Sequence, residues 1–333
     1  MSGSRILVLK QQGLRQFVEA EPGFAAIREA HPGIPIDLLT TPAFGRLAKG
    51  APYFDRVLAA GPFTGKGAQK DFIAQLKRIG YELIYDLDGS RTTLDMRQGL
   101  TGFRGPNWIG PKRIMSKPGR SGSAFSGAAV RKMLADANVA VDHRLPDLKW
   151  ALSGRKDAAN MQPSWFGISR PFALFIPAAE NNRRWPAGNY AAMAQSLAQD
   201  EISSVIVGPE EMGDFAQDVV KKASGKGSNA AAGTVVDLTG KADLAQLAML
   251  ARNAAFFVAG ASEELHLCVA VGCPGVVLLH PGETAESESL FGRDVIKLTA
   301  QDMAKLSPDM ALGMLRNMGL LQVYQMPNVR FSA

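Results

Sequence analysis

Apolar runs of four to seven residues alternate along this chain with stretches in which apolar residues recur every three or four positions. In the first half, RILVL, PIDLLT, RVLAA and ELIYDLD read as strands, and FAAIREAHPG and DFIAQLKRIG read as helices. In the second half, FALFIP, SSVIVG, AAFFVAG and GVVLLH are strands, separated by the helical patterns NYAAMAQSLAQD, MGDFAQDVVKKA and DLAQLAMLARNA. The second set of strands is almost continuously apolar, as expected of a sheet covered on both faces. The alternation predicts parallel βαβ units with right-handed crossovers, made twice. MAKLSPDMALGMLRNMGLL predicts a terminal helix, expected to pack back on the first half.

A join falls within residues 146–171, which are rich in Pro, Ser and Gly. A chain of 333 residues is long for one core. The expected division is residues 1–160 and 161–310, each an α/β, Rossmann-like, doubly wound domain, with 311–333 as helix and tail. Two such domains facing a cleft make the GT-B architecture; a bilobal binding protein or a two-domain dehydrogenase shares the outline. Neither half opens on G-x-G-x-x-G, which argues against a dehydrogenase and against a dinucleotide cofactor.

Charge adds a partner class. The net charge is +6 and the pI about 9.3, which favours anionic company. Residues 110–127 combine Gly, Ser and Pro with Lys112, Arg113, Lys117 and Arg120, and no helix or strand period fits them. This reads as a mobile basic loop that meets an anionic partner. Without interleaved aromatic residues or a known module, nucleic acid is not the expected partner. Cys268 and Cys273 lie in an apolar segment and read as buried thiols, and the four histidines are scattered, so no metal site is expected. The N-terminal segment is too short in apolar residues for a signal peptide, and no run approaches the ~18 residues of a spanning helix. The expected location is cytoplasmic, peripheral on the inner face of the cytoplasmic membrane.

Several stretches then point one way. FIPAAENNRRWPAGNYAAMAQSL, SVIVGPEEMGDF, VVDLTGKADLAQLAMLARNAAFFVAG and LHLCVAVGCPGVVLLHPG, in that order, resemble the ADP-heptose:lipopolysaccharide heptosyltransferases, glycosyltransferase family nine. HPGIPIDLLTTPAFGRLAKGAPYFDRVL and YELIYDLDGS agree in the first half. The resemblance implies a GT-B fold, with an acceptor-side first domain and a nucleotide-sugar-side second domain. It implies inverting transfer from an ADP-heptose-like donor to a lipid-linked saccharide of the lipopolysaccharide core. Such transfer needs a base at the acceptor hydroxyl and positive charge or amides at the departing phosphates.

At the positions that matter this chain departs from the family. The family's base Asp lies in the first βα turn, five residues and a Pro downstream; counting back from Pro22 puts Gln16 there and Arg15 on the preceding Gly. A carboxamide accepts no proton at neutral pH. Glu19, one helical turn on, and Asp86 and Asp88, after a strand, are the candidate substitutes, weighed against a solvated helix face and an Asx turn. The family's donor signature D-T-G-x-x-H-L, counted back from His266, reads Ala261, Ser262, Glu263, Glu264, Leu265 and His266, with Glu263 in place of the phosphate-binding glycine. Arg183, before Trp185 and Pro186, aligns with a phosphate-holding cation or is a solvated charge; Glu210 meets the nucleoside or is an exposed helix-start acid. His266 is a donor contact or a core histidine, and Ser262 sits in the donor turn. Two functions follow: a transferase with a rearranged base, or a catalytically inactive member serving a protein partner as scaffold in envelope assembly.

Overall fold

The computed structural model describes residues 4–61, 63, 66–102, 105–112, 126–153, 157–225, 234–283 and 294–321. The first sheet holds β1 (Ile6–Leu9), β2 (Ile36–Thr40), β3 (Arg56–Ala59), β4 (Leu83–Asp86) and β5 (Asn107–Ile109). Its order is β3-β2-β1-β4-β5, all parallel. The second holds β6 (Phe172–Ile176), β7 (Ser203–Ile206), β8 (Val235–Asp237), β9 (Phe256–Ala259), β10 (Gly275–Leu279) and β11 (Val295–Thr299), in the parallel order β11-β10-β9-β6-β7-β8. Both are doubly wound, with the strand order reversing beside β1 and β6, so the fold is GT-B as expected.

The helices between strands are α1 (Leu14–Glu19), α2 (Glu21–Ala30), α3 (Pro42–Ala48), α4 (Lys66–Ile79), α5 (Arg91–Leu100) and α6 (Gly127–Asp136) in the first half. The second half has α7 (Ala187–Gln199), α8 (Gly213–Ala223), α9 (Leu244–Asn253), α10 (Glu263–Ala270) and α11 (Pro308–Asn317). Starts are set locally: Asp243 and Gln246 form a reciprocal capping box at α9, and Ser90 with Thr93 does the same at α5.

The period of two along each strand sorts its side chains between layers. Ile6 and Val8 face an inner core, Leu7 and Leu9 an outer one; Phe172, Leu174 and Ile176 face the inner core, Ala173 and Phe175 the other outer one. The inner core is continuous through both halves. It takes Phe17, Phe24 and Phe44 from α1, α2 and α3, Leu148, Ala151 and Met161 from the join, and Leu250, Leu265 and Cys268 from α9 and α10. Helix α1 packs on α10 and α3 on α9, so the halves meet through apolar helices.

Two expectations change. Helix α11 does not pack back on the first half: it lies on α7 and β10, with Ala311, Leu312 and Leu315 in the second half's outer core. Ser307 caps it and Pro308 starts it, after a short 3-10 turn, Met303–Lys305, whose Met303 and Leu306 lie in the same outer core. Residues 322–333 lie outside the described residues. The join is three short 3-10 turns, Lys149–Leu152, Ala158–Met161 and Pro163–Phe166; Leu148, Ala151, Met161 and Ile168 enter the core, while Trp165 is exposed. Of the basic loop, Lys112 is exposed, while Arg113, Lys117 and Arg120 lie outside the described residues.

Candidate functional site

The carboxyl ends of β1 and β4 flank the reversal in the first sheet, and those of β6 and β9 flank it in the second. Ligands of open α/β sheets bind at such points. Here the two points face each other, with α1 on one side and α10 on the other.

The first βα turn is tied down residue by residue. The Lys10 amide donates to the Leu39 carbonyl at 2.9 Å, and its ammonium donates to the Leu87 carbonyl at 2.9 Å and to Gln12 Oε1 at 3.3 Å. Gln11 Nε2 reaches the Ala60 carbonyl at 3.0 Å, and Gln12 Nε2 the Asp88 carbonyl at 2.7 Å. Three consecutive side chains thus bind the turn to the ends of β3 and β4. Lys10 is fully buried; burial pushes its pKa down to about 8 against the opposing pull of Asp88, Asp86 and Glu19. Its position directly after an apolar strand was the one available signal for this residue.

Gln16 stands in α1, its Oε1 beside Gly13, where the family's base is expected. All three candidate substitutes accept hydrogen bonds within the molecule. Glu19 is not on a solvated face: Oε1 accepts from Arg15 Nε at 2.9 Å and Oε2 from the Gly127 amide at 3.3 Å. Asp88 is buried, its Oδ1 accepting from the Gln11 and Gln12 amides at 2.9 Å each. Asp86 Oδ1 accepts from the Asp88 and Gly89 amides at 3.0 Å each. Its Oδ2 is buried and makes no hydrogen bond of good geometry among the described residues; the Thr93 hydroxyl beside it donates to the Ser90 carbonyl at 3.1 Å. Burial, then Asp88, push the Asp86 carboxyl up to about 6.

Across from this turn, Gly260 leads from β9 into α10. A Cβ there would stand 2.6 Å from the Cβ of Ala178, so β6 and β9 leave no room for a side chain. Ser262 caps α10, accepting from the Leu265 amide at 3.4 Å. Glu263 follows, and its Oε2 accepts from the Leu14 amide, in the other half of the molecule, at 2.8 Å. Burial, then Glu263, push Glu264 up from the ordinary carboxylate range. His266 is 8% exposed with Nδ1 unpartnered among the described residues; burial, then Arg15, push its pKa down to about 3. A histidine so placed is neutral and faces α1.

The remaining donor-side residues form a second group. Arg183 Nε pairs with Glu180 at 3.2 Å and its Nη1 with Glu283 at 3.4 Å, so it is a paired, partly exposed charge. Glu283 also accepts from the His280 amide at 2.8 Å; the sequence reading missed it, although HPGE follows a strand at the same edge. Trp185 is buried and donates to the Leu306 carbonyl at 2.7 Å, a packing role. Glu210 is exposed and opens a short turn whose backbone lies against Gly240. Gly240 has φ of +69°, and a Cβ there would meet Glu210 Cβ at 2.9 Å, so the LTGK turn requires glycine twice over. Also missed was Arg46 of α3, which bonds Asp157 and Asn160 of the join and Asp243 at the start of α9. No group of His, Cys, Asp and Glu able to hold a metal occurs among the described residues. No helix among them is long and apolar enough to cross a membrane.

Comparison with known proteins places this geometry. Among solved structures, ADP-heptose lps heptosyltransferase II of E. coli superposes with a TM-score of 0.74 at 17% identity, over 94% of this chain and 98% of that one. The E. coli heptosyltransferase WaaC with ADP gives 0.69 at 15% identity, over 94% and 99%. A UDP-GlcNAc 2-epimerase from Methanocaldococcus jannaschii gives 0.59 at 11%, over 96% and 93%. At these identities the likeness is one of fold, and that fold serves more than one reaction. No match is found among curated proteins. Residues 72–302 match glycosyltransferase family 9 (heptosyltransferase), a span that begins after the first βα turn and includes the donor edge. The chain belongs to glycosyltransferase family 9.

Proposed function

We propose that this chain is a non-catalytic member of its family, a two-lobed binding body for envelope polysaccharide assembly. The observation that carries the reading is the state of the carboxylates at the first βα turn. Gln16 replaces the base, and Glu19 and Asp88 are each spent on holding the turn in place. A general base must be aimed at the acceptor's proton, and these two carboxylates are oriented toward the turn's own donors instead. On the donor side, Glu263 and Glu283 put carboxylates where departing phosphates need cations or amides, and Arg183 is already paired. An anionic partner, a lipid-linked saccharide or membrane surface, suits the basic stretch that begins at Lys112.

Calorimetric titration with ADP and with ADP-heptose, beside a transfer assay on a lipopolysaccharide core acceptor, tests this. The expected result is no turnover and at most weak nucleotide binding. Each lost charged hydrogen bond costs on the order of 1.5–3 kcal/mol, at least about tenfold in affinity. Turnover at ordinary enzyme rates, ~1–10³ s⁻¹, overturns the proposal.

One observation favours the transferase reading instead. Asp86 keeps an unpartnered buried oxygen and a pKa near neutrality, at about 6, as a working base would. In that case transfer would be inverting, and Asp86→Asn would abolish turnover while leaving nucleotide affinity unchanged.

A further inference from the structure

We infer that Glu263 is an interlobe latch: its carboxylate clasps the first βα turn from the opposite half, and with the Arg46 clasp it holds the two halves together across the cleft. This goes beyond the non-catalytic reading and stands whether or not the chain transfers a sugar.

Helix α1 receives no side-chain cap from its own N-terminal residue, Gly13. Its Leu14 amide is satisfied instead by Glu263 Oε2 at 2.8 Å, from 249 positions away in the chain. Gly13 has φ of −52° and ψ of 169°, a conformation open to any residue, so backbone freedom is not what glycine supplies there. It supplies space. A Cβ on Gly13 would stand 2.7 and 2.9 Å from the two Glu263 carboxylate oxygens. Glycine in one half and a carboxylate in the other are therefore complementary, and each accounts for its counterpart.

The second clasp is independent. Arg46 of α3 donates to Asp157 Oδ2 at 2.8 Å and also binds Asn160 and Asp243. Gln246 Nε2 of α9 donates to the Asn160 carbonyl at 2.8 Å, which completes a chain of bonds from α3 through the join to α9. Between the two clasps, α1 on α10 and α3 on α9 share one apolar core. Relative domain motion is the default for lobed proteins unless the interface is hydrophobic and pinned, and here it is both.

The test is amide hydrogen exchange on the full chain, native and E263A, G13A, E263A/G13A, R46A and E263A/R46A, with small-angle scattering on the same samples. Glu263 is an exposed residue, so truncating it leaves the core intact, and peptides from α7 and α8 serve as an internal reference. In E263A the Leu14 amide should exchange at least about tenfold faster while the reference is unchanged. G13A should do the same, because its new Cβ displaces the carboxylate. Adding G13A to E263A should change Leu14 exchange little further, since the new Cβ then meets only the flexible end of Gln16, whose Oε1 stands 2.9 Å away. E263A with R46A should increase the radius of gyration. Leu14 exchange untouched by E263A, or a G13A effect that simply adds to it, overturns the latch. So does a native radius of gyration already equal to that of the double variant. Should G13A raise exchange in the reference peptides too, it has unfolded the chain, and E263A alone decides. None of these readouts involves nucleotide or turnover, so the latch and the functional proposal fail separately.

Discussion

His266 shows what one buried side chain adds to the chemistry of the site. Its pKa falls from the usual 6.5 to about 3, through burial first and then the Arg15 guanidinium. Above pH 6.5 the ring is neutral folded or unfolded, and the full stability is present. Below 6.5 the unfolded chain takes up the proton more readily, so stability is lost as pH falls toward 3. The loss should approach on the order of 5 kcal/mol at its acid limit. Asp86, raised to about 6, runs the other way, its folded state holding more protons between its ordinary value and 6. Urea unfolding at a series of pH values should therefore show His266→Gln losing less stability than the native chain on acidification. Parallel pH curves would show that burial at His266 is less complete than the structure has it. Spacing alone located Gln16, Glu263 and His266, because counting along a motif needs only the chain. It was silent on what each would touch, since Leu14 and Glu263 are brought together by the packing of distant helices.

Among elements, the start of α2 carries the clearest energetic consequence. Glu21 is fully buried; Arg144 donates to both its oxygens at 2.8 Å, the Asp147 amide donates to Oε2 at 3.0 Å, and the Tyr53 hydroxyl donates to Oε1. This cluster fastens the segment leading into the join to the first half. Removing one partner of a buried pair strands the other's charge, at a cost of roughly 3–5 kcal/mol. Arg144→Ala, which strands the buried Glu21, should lose about that much in urea unfolding, and adding Glu21→Ala should cost little more. Additive losses would mean the pair is not the unit. Glu21 reads in the sequence as an ordinary helix-start acid beside Pro22, so nothing local announces the cluster. Elements followed their visibility in the same way. The central strands, apolar on both faces, were legible; β5 and β8, three residues each and half-exposed, carry too little pattern to be found. Helix α5 is polar on most of its surface and escaped for the related reason that its apolar stripe is narrow.

At the scale of the molecule, charge is divided unevenly. Residues 1–160 hold 24 Lys and Arg against 14 Asp and Glu, while the remainder holds 13 against 17. Charge so divided would turn the first half toward an anionic surface, which makes binding to such a surface a testable prediction. Sedimentation with phosphatidylglycerol vesicles at low ionic strength should retain the chain, whereas phosphatidylcholine vesicles should not. Salt at 1 M, where the Debye length is ~3 Å, should release it. Replacing Lys112, Arg113, Lys117 and Arg120 by Ala should weaken retention several-fold. Equal binding to both vesicle types, or none to either, would count against this orientation.

The repeated period of short apolar runs and helical stripes was enough, from the sequence, to specify two parallel sheets. The order of RRWP, LTGK and HLCVAVGCP was enough to indicate the family. Both are local properties: a strand's burial and a turn's glycine depend on a handful of neighbouring residues. Whether Glu19 and Asp88 were free, whether Arg183 was solvated, and where α11 would pack depended on partners up to a hundred or more positions away. Glu19 meets Gly127, Asp88 meets Gln11, Arg183 meets Glu283 and Glu263 meets Leu14. Only folding selects those pairings, because a carboxylate's availability is decided by which donors tertiary packing brings within hydrogen-bonding distance.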